Sequence, residues 1–115
     1  MQRPILERRA HPRYDLRLSL HYRITQRGQA SISGSGLTFE LSVEGMSFRC
    51  RKPLPVGAHI ELSVDWPVRY GEIYPVDLLA TGFVVRSDHG RTAIRMTSHK
   101  LRVSSNPAIP VRASA

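Results

Sequence analysis

The chain has 115 residues, 41% of them hydrophobic and 23% charged, with 17 Lys+Arg against 9 Asp+Glu for a formal net charge of +8. That length holds one domain, the composition can bury a core, and no apolar run approaches the eighteen residues a membrane span needs. A single cysteine, Cys50, excludes an internal disulfide and a multi-cysteine zinc site, and the N-terminus lacks a secretory h-region, so a cytoplasmic location is expected.

Residues 1–14 carry Pro4 and Pro12 and no sustained periodicity, which predicts an extended, flexible arm. From Leu16 the pattern changes. Leu16, Leu18, Leu20, Tyr22 and Ile24 alternate with Arg17, Ser19, His21, Arg23 and Thr25, as in a strand with one face on a core. The small, polar stretch 28–36 reads as a mobile loop. A second strand, Leu37–Leu41, leads through Ser42–Gly45 into a third, Met46–Cys50, as a hairpin. Residues 54–57 form a turn. Ile60, Leu62, Val64 and Trp66 then mark a fourth strand, stopped by Pro67, with Trp66 in the core. After a loop at 68–75, a fifth strand covers Val76–Ser87, with a bulge or bend at Gly82. Asp88-His89-Gly90 turns the chain into a sixth strand, Arg91–Thr97.

Six strands with short connections and no amphipathic helix predict an all-β fold, an antiparallel sheet closed into a six-stranded barrel over residues 15–98. Residues 99–115, with Pro107 and Pro110, are expected to be an irregular tail in which a C-terminal helix is short or absent.

The positive charge is concentrated. Residues 1–30 hold seven Arg and two acids, whereas residues 31–115 hold eight Arg, two Lys and seven acids. A local positive field attracts phosphate groups. In Glu7-Arg8-Arg9-Ala10-His11-Pro12-Arg13, Pro12 favours an extended backbone, so Arg9 and Arg13 can lie up to about 13 Å apart at roughly 3.3 Å per residue. That reach suits a ligand larger than a mononucleotide. The second cluster is Glu40-Leu41-Ser42-Val43-Glu44-Gly45, at the turn of the first hairpin.

Together the two clusters resemble the PilZ domain, a bacterial receptor for cyclic di-GMP, whose motifs are RxxxR before the first strand and [DN]xSxxG in the following hairpin. Arg9 to Arg13 matches the first motif, preceded by Arg8, and Ser42 and Gly45 match the second. The resemblance covers about residues 7–98. It implies a non-catalytic receptor or adaptor that binds cyclic di-GMP, changes its arm and hairpin surface on binding, and signals to a protein partner. It also implies that Arg8, Arg9 and Arg13 hold guanine edges and phosphates, and that Ser42 places a hydroxyl beside the ligand. Gly45 would provide a positive φ or a close backbone approach.

Glu40 stands where the family has Asp or Asn facing guanine's donor edge. A carboxylate remains a bidentate acceptor, one methylene further out. The other reading of Glu40 is an exposed strand-end acid paired with nearby arginines, which leads to a degenerate interaction module that no longer binds the ligand. A small nucleic-acid-binding barrel is the third and weakest reading, because aromatics are only 7% and none interleaves with the basic cluster.

No residue pattern points to an enzyme. The five histidines lack metal-ligand spacing, Ser42 lacks a nucleophile elbow, and Cys50 reads as a core or edge residue. Tyr70 and Tyr74 are candidates for base stacking or for packing on the barrel rim. No metal or cofactor is expected, and ligand stoichiometry, partner and oligomeric state stay open.

Overall fold

Alternating apolar side chains can share one interior only if the sheet that carries them curls round and closes. In the computed structural model, which describes residues 13–104, it does so. The strands are β1 (Tyr14–Asp15), β2 (Ser19–Ile24), β3 (Ile32–Leu41), β4 (Gly45–Cys50), β5 (His59–Tyr70), β6 (Tyr74–Asp88) and β7 (Arg91–Val103). Neighbours run antiparallel in the order β1-β3-β2-β5-β6-β7-β4, and a β3–β4 pairing closes β2 to β7 into a six-stranded barrel. The described residues contain no helix. The fold is therefore the all-β barrel that the sequence predicts.

Leu20, Tyr22 and Ile24 on β2, Phe48 on β4, and Ile60, Leu62 and Val64 on β5 are buried together with Leu78, Ala80, Val84 and Ile94. Each fully buried side chain of this size contributes about 1.5–3 kcal/mol. Trp66 is only half-buried, packed against the edge of this cluster. Cys50 is a buried free thiol that donates to the Lys52 carbonyl at 3.1 Å, so it serves the interior. Burial and the neighbouring Cys50 push the Tyr22 hydroxyl pKa up, which keeps it neutral well into the alkaline range.

Several strand ends differ from expectation, each for a physical reason. The stretch expected as a mobile loop at 28–36 is strand from Ile32 onward. Its Gly36 allows close approach: a Cβ there would meet the Arg49 carbonyl oxygen at 2.2 Å. Pro67 does not end β5. It falls in a register shift between Trp66 and Tyr70, where a missing N–H breaks no ladder bond, and the expected 68–75 loop shrinks to a turn at 71–73. Gly82 lies at a register shift, as its place in a long strand implies. The tail expected to be irregular from His99 is strand to Val103, because β6 residues Val76–Ala80 extend far enough to pair with it. His89 (φ 50) and Gly90 (φ 78) form the two-residue link from β6 to β7, the geometry that matches strand twist. Residues 1–12 and the tail from 105 lie outside the described residues.

The strand expected from Leu16 begins, as β2, at Ser19, and residues 16–18 are instead tied down by Thr38. This fully buried side chain accepts from the Leu18 N–H at 2.8 Å and donates to the Leu16 carbonyl. The tie keeps β1 beside the end of β3. Thr38→Val strips partners from both backbone groups, so a loss of about 1–3 kcal/mol is expected in urea unfolding.

Candidate functional site

The β3–β4 connection is a tight turn. Ser42 N–H donates to the Gly45 carbonyl at 2.9 Å, and Glu44 N–H donates to Ser42 Oγ at 3.3 Å. The Ser42 hydroxyl therefore braces the turn as an acceptor while its own hydrogen remains available for donation. Gly45 does not have a positive φ. It is required for proximity, since a Cβ there would lie 2.5 Å from the Ile94 carbonyl oxygen on β7.

Two pairings bring distant parts of the chain to this turn. β1 adds to the end of β3 through Tyr14↔Leu41 and Asp15↔Glu40, which sets Arg13 alongside Glu40. Their charged groups stand 3.8 Å apart, each side chain 49% exposed. On the other side, β4 pairs with β7 through Gly45↔Arg95 and Ser47↔Ala93. Arg91 and Arg95 point outward there, since Thr92 and Ile94 point in.

Between these elements lies a cleft of about 510 Å³. Its charged lining is Arg13, Arg86, Arg91 and Arg95 with Glu40 and Glu44, an excess of positive charge with acceptors on one side. The volume falls in the range of small-molecule sites, about 300–1,000 Å³. Ser47 also lines it, and its Oγ is buried without a hydrogen-bond partner among the described residues. An unpaired buried hydroxyl costs about 1–3 kcal/mol, a penalty that a polar ligand group would relieve. Ser47→Ala is therefore expected to hold or raise the melting temperature while weakening ligand binding about tenfold, readable by thermal unfolding and calorimetry together.

Of the residues singled out from sequence, Arg13, Glu40, Ser42 and Gly45 meet around this one cleft. Arg8 and Arg9 lie outside the described residues. Glu40 stands beside Arg13 and lines the cleft. Tyr70 and Tyr74 do not line the cleft. Arg86, Arg91, Arg95 and Ser47 were not singled out. The spacing of Arg91 and Arg95, four apart on an alternating strand, puts them on one face; which strand lies beside that face is not a local property.

Among the described residues no group of three or more His, Cys, Asp or Glu side chains could hold a metal ion. No helix there is long and apolar enough to cross a membrane.

No protein-family model matches the chain, and no curated protein matches it. Among solved structures it is similar to the Bacillus subtilis inhibitor of motility (MotI/DgrA), with a TM-score of 0.58 and 14% identity. The similarity covers 90% of this chain and 48% of that one, so this chain spans about half the length of its structural neighbour. At that identity the likeness concerns the fold alone.

Proposed function

We propose that this protein is a non-catalytic, PilZ-like receptor module that takes cyclic di-GMP into the cleft between the β3–β4 turn and β7 and relays its presence to a protein partner. One observation carries the reading: the β1–β3 pairing sets Arg13, from the first motif, against Glu40, Ser42 and Gly45, from the second. Similarity in fold to an inhibitor of motility accords with a regulatory role.

The chemistry of the cleft suits this ligand. Guanine presents O6 and N7 to an arginine fork, and its N1–H and exocyclic amine to a carboxylate such as Glu40. Arg86, Arg91 and Arg95 supply positive charge for the two phosphates. The Arg13–Glu40 contact is long and half-exposed, worth about 0–1 kcal/mol, so exchanging it for ligand contacts costs little. Arg8 and Arg9 would close over the ligand from the arm. That closure would couple binding to a change in the surface around the hairpin, which a partner reads.

The same Arg13–Glu40 contact favours a second reading, an interaction module in which Glu40 has replaced the guanine contact with an internal ion pair. Calorimetry on the wild type and Glu40→Asp separates the two. Saturable binding by the wild type, with Glu40→Asp within several-fold of it, supports the receptor. Binding by Glu40→Asp alone, with a wild-type Kd weaker than about 1 mM, supports the degenerate module.

A further inference from the structure

On the outer wall of the barrel next to the cleft, three guanidinium groups converge on one aromatic ring. The Cζ atoms of Arg91, Arg17 and Arg49 lie 3.8, 4.7 and 5.2 Å from the centroid of half-buried Phe39. All three charges thus share a space about one Debye length across at physiological ionic strength, ~8–10 Å. Arg49 and Arg91 are also directly opposite each other in the β4–β7 ladder, a like-charge pairing that destabilises antiparallel strands.

Arg17 has local partners, the Asp15 carboxylate at 3.1 Å and the Phe39 carbonyl at 2.9 Å. Arg49, Arg86 and Arg91 make no ion pair among the described residues. They border a second cleft of about 570 Å³, in which Asp88 is the one acid among the described residues. Stacking on Phe39 contributes about 0.5–1 kcal/mol for each of Arg49 and Arg91 at an exposed site. Like charges held this close, with no ion pair at Arg49, Arg86 or Arg91 among the described residues, are an arrangement that an anion relieves.

We propose that Arg49 and Arg91, stacked on Phe39, and the neighbouring Arg86 form a phosphate-binding subsite on the outer barrel wall, adjoining the cleft at the β3–β4 turn. Its ligand is a phosphate ester, carried by a nucleotide or by a nucleic-acid strand. Two adjacent forks grip a phosphate from two sides. The two sites meet at Arg86 and Arg91, but Phe39 and Arg49 line only this one. Arg49 therefore separates this subsite from the cyclic di-GMP cleft, with which it shares Arg86 and Arg91. Although no aromatic interleaves with the basic cluster along the chain, Phe39 stands among arginines once β3, β4 and β7 are assembled.

The test follows the arginine Nε–Hε NMR signals of the full chain, assigned with Arg49→Gln and Arg91→Gln, during titration with inorganic pyrophosphate and, separately, a single-stranded DNA 12-mer. Saturable shifts of the Arg49 and Arg91 signals are expected, weakening as NaCl rises from about 50 to 200 mM. Pyrophosphate alone acting marks a nucleotide phosphate as the source; the 12-mer alone acting marks a strand backbone; both acting marks phosphate generally. Arg49→Gln should lose affinity at least about tenfold. Arg49→Lys, which keeps charge but not the planar fork, should lose most of that amount, and Arg69→Gln, on β5 and in neither cleft, should change it less than twofold. Neither probe shifting these signals, or Arg49→Gln binding as the wild type does, overturns the proposal.

Discussion

Arg13→Ala is expected to weaken cyclic di-GMP binding at least about a hundredfold while leaving the unfolding midpoint nearly unchanged. Each hydrogen bond to a charged group contributes about 1.5–3 kcal/mol, and a two-pronged contact to guanine or phosphate uses two of them. A loss of about 2.8 kcal/mol is already a factor of one hundred. The fold loses almost nothing, because the side chain is half-exposed and its contact with Glu40 spans 3.8 Å. Calorimetry beside urea unfolding reads both quantities. Wild-type affinity in a folded Arg13→Ala protein would remove this residue from the site and, with it, the bridge between the two motifs.

Phe48→Ala should cost stability rather than chemistry, about 3–5 kcal/mol. The ring is fully buried and packs against Tyr22, with centroids 6.0 Å apart. Domains of this size are stable by about 5–15 kcal/mol, so about a fifth of the margin or more is at stake and the melting temperature should fall by roughly 10 °C or more. The site should suffer indirectly. Phe48 adjoins Ser47 on β4 and pairs with Thr92 on β7, so a loosened β4 blurs the wall of the cleft. Ligand at about 100 times Kd should return roughly 2.7 kcal/mol, visible as partial recovery of the melting temperature. A Phe48→Ala protein as stable as the wild type would contradict the assignment of this ring to the centre of the core.

Strand existence was legible because alternation is local. The pattern through Leu20, Tyr22 and Ile24, or through Ile60, Leu62 and Val64, states which side faces inward without reference to any other strand. Strand ends were less legible because a ladder continues wherever a neighbour is long enough to meet it. Lys100-Leu101-Arg102-Val103 alternates over too few residues to announce a strand on its own, yet β6 supplies partners there. Gly36 looked like a loop residue because flexibility and close approach select the same side chain.

The site divides in the same way. Arg13, Glu40, Ser42 and Gly45 stood out through short motifs with fixed spacing. Arg86, Arg91 and Arg95 did not, because their meeting with the turn depends on β4 pairing with β7, strands more than forty residues apart in the chain. Ser47 was hidden for another reason. Alternation with Met46 and Phe48 assigns it to the outer face, which is correct, but at this place the outer face is the floor of a cleft.

The central claim is that the cleft at the β3–β4 turn receives cyclic di-GMP, and a two-dimensional amide NMR titration tests it most directly. Shifts should concentrate at Ser42, Glu44, Gly45, Ser47 and Ala93, with the Arg13 side-chain signal moving at the same ligand concentrations. The contradicting result is no shift at a ligand concentration of about 1 mM, or shifts confined to the far β5–β6 hairpin around Tyr70 and Tyr74.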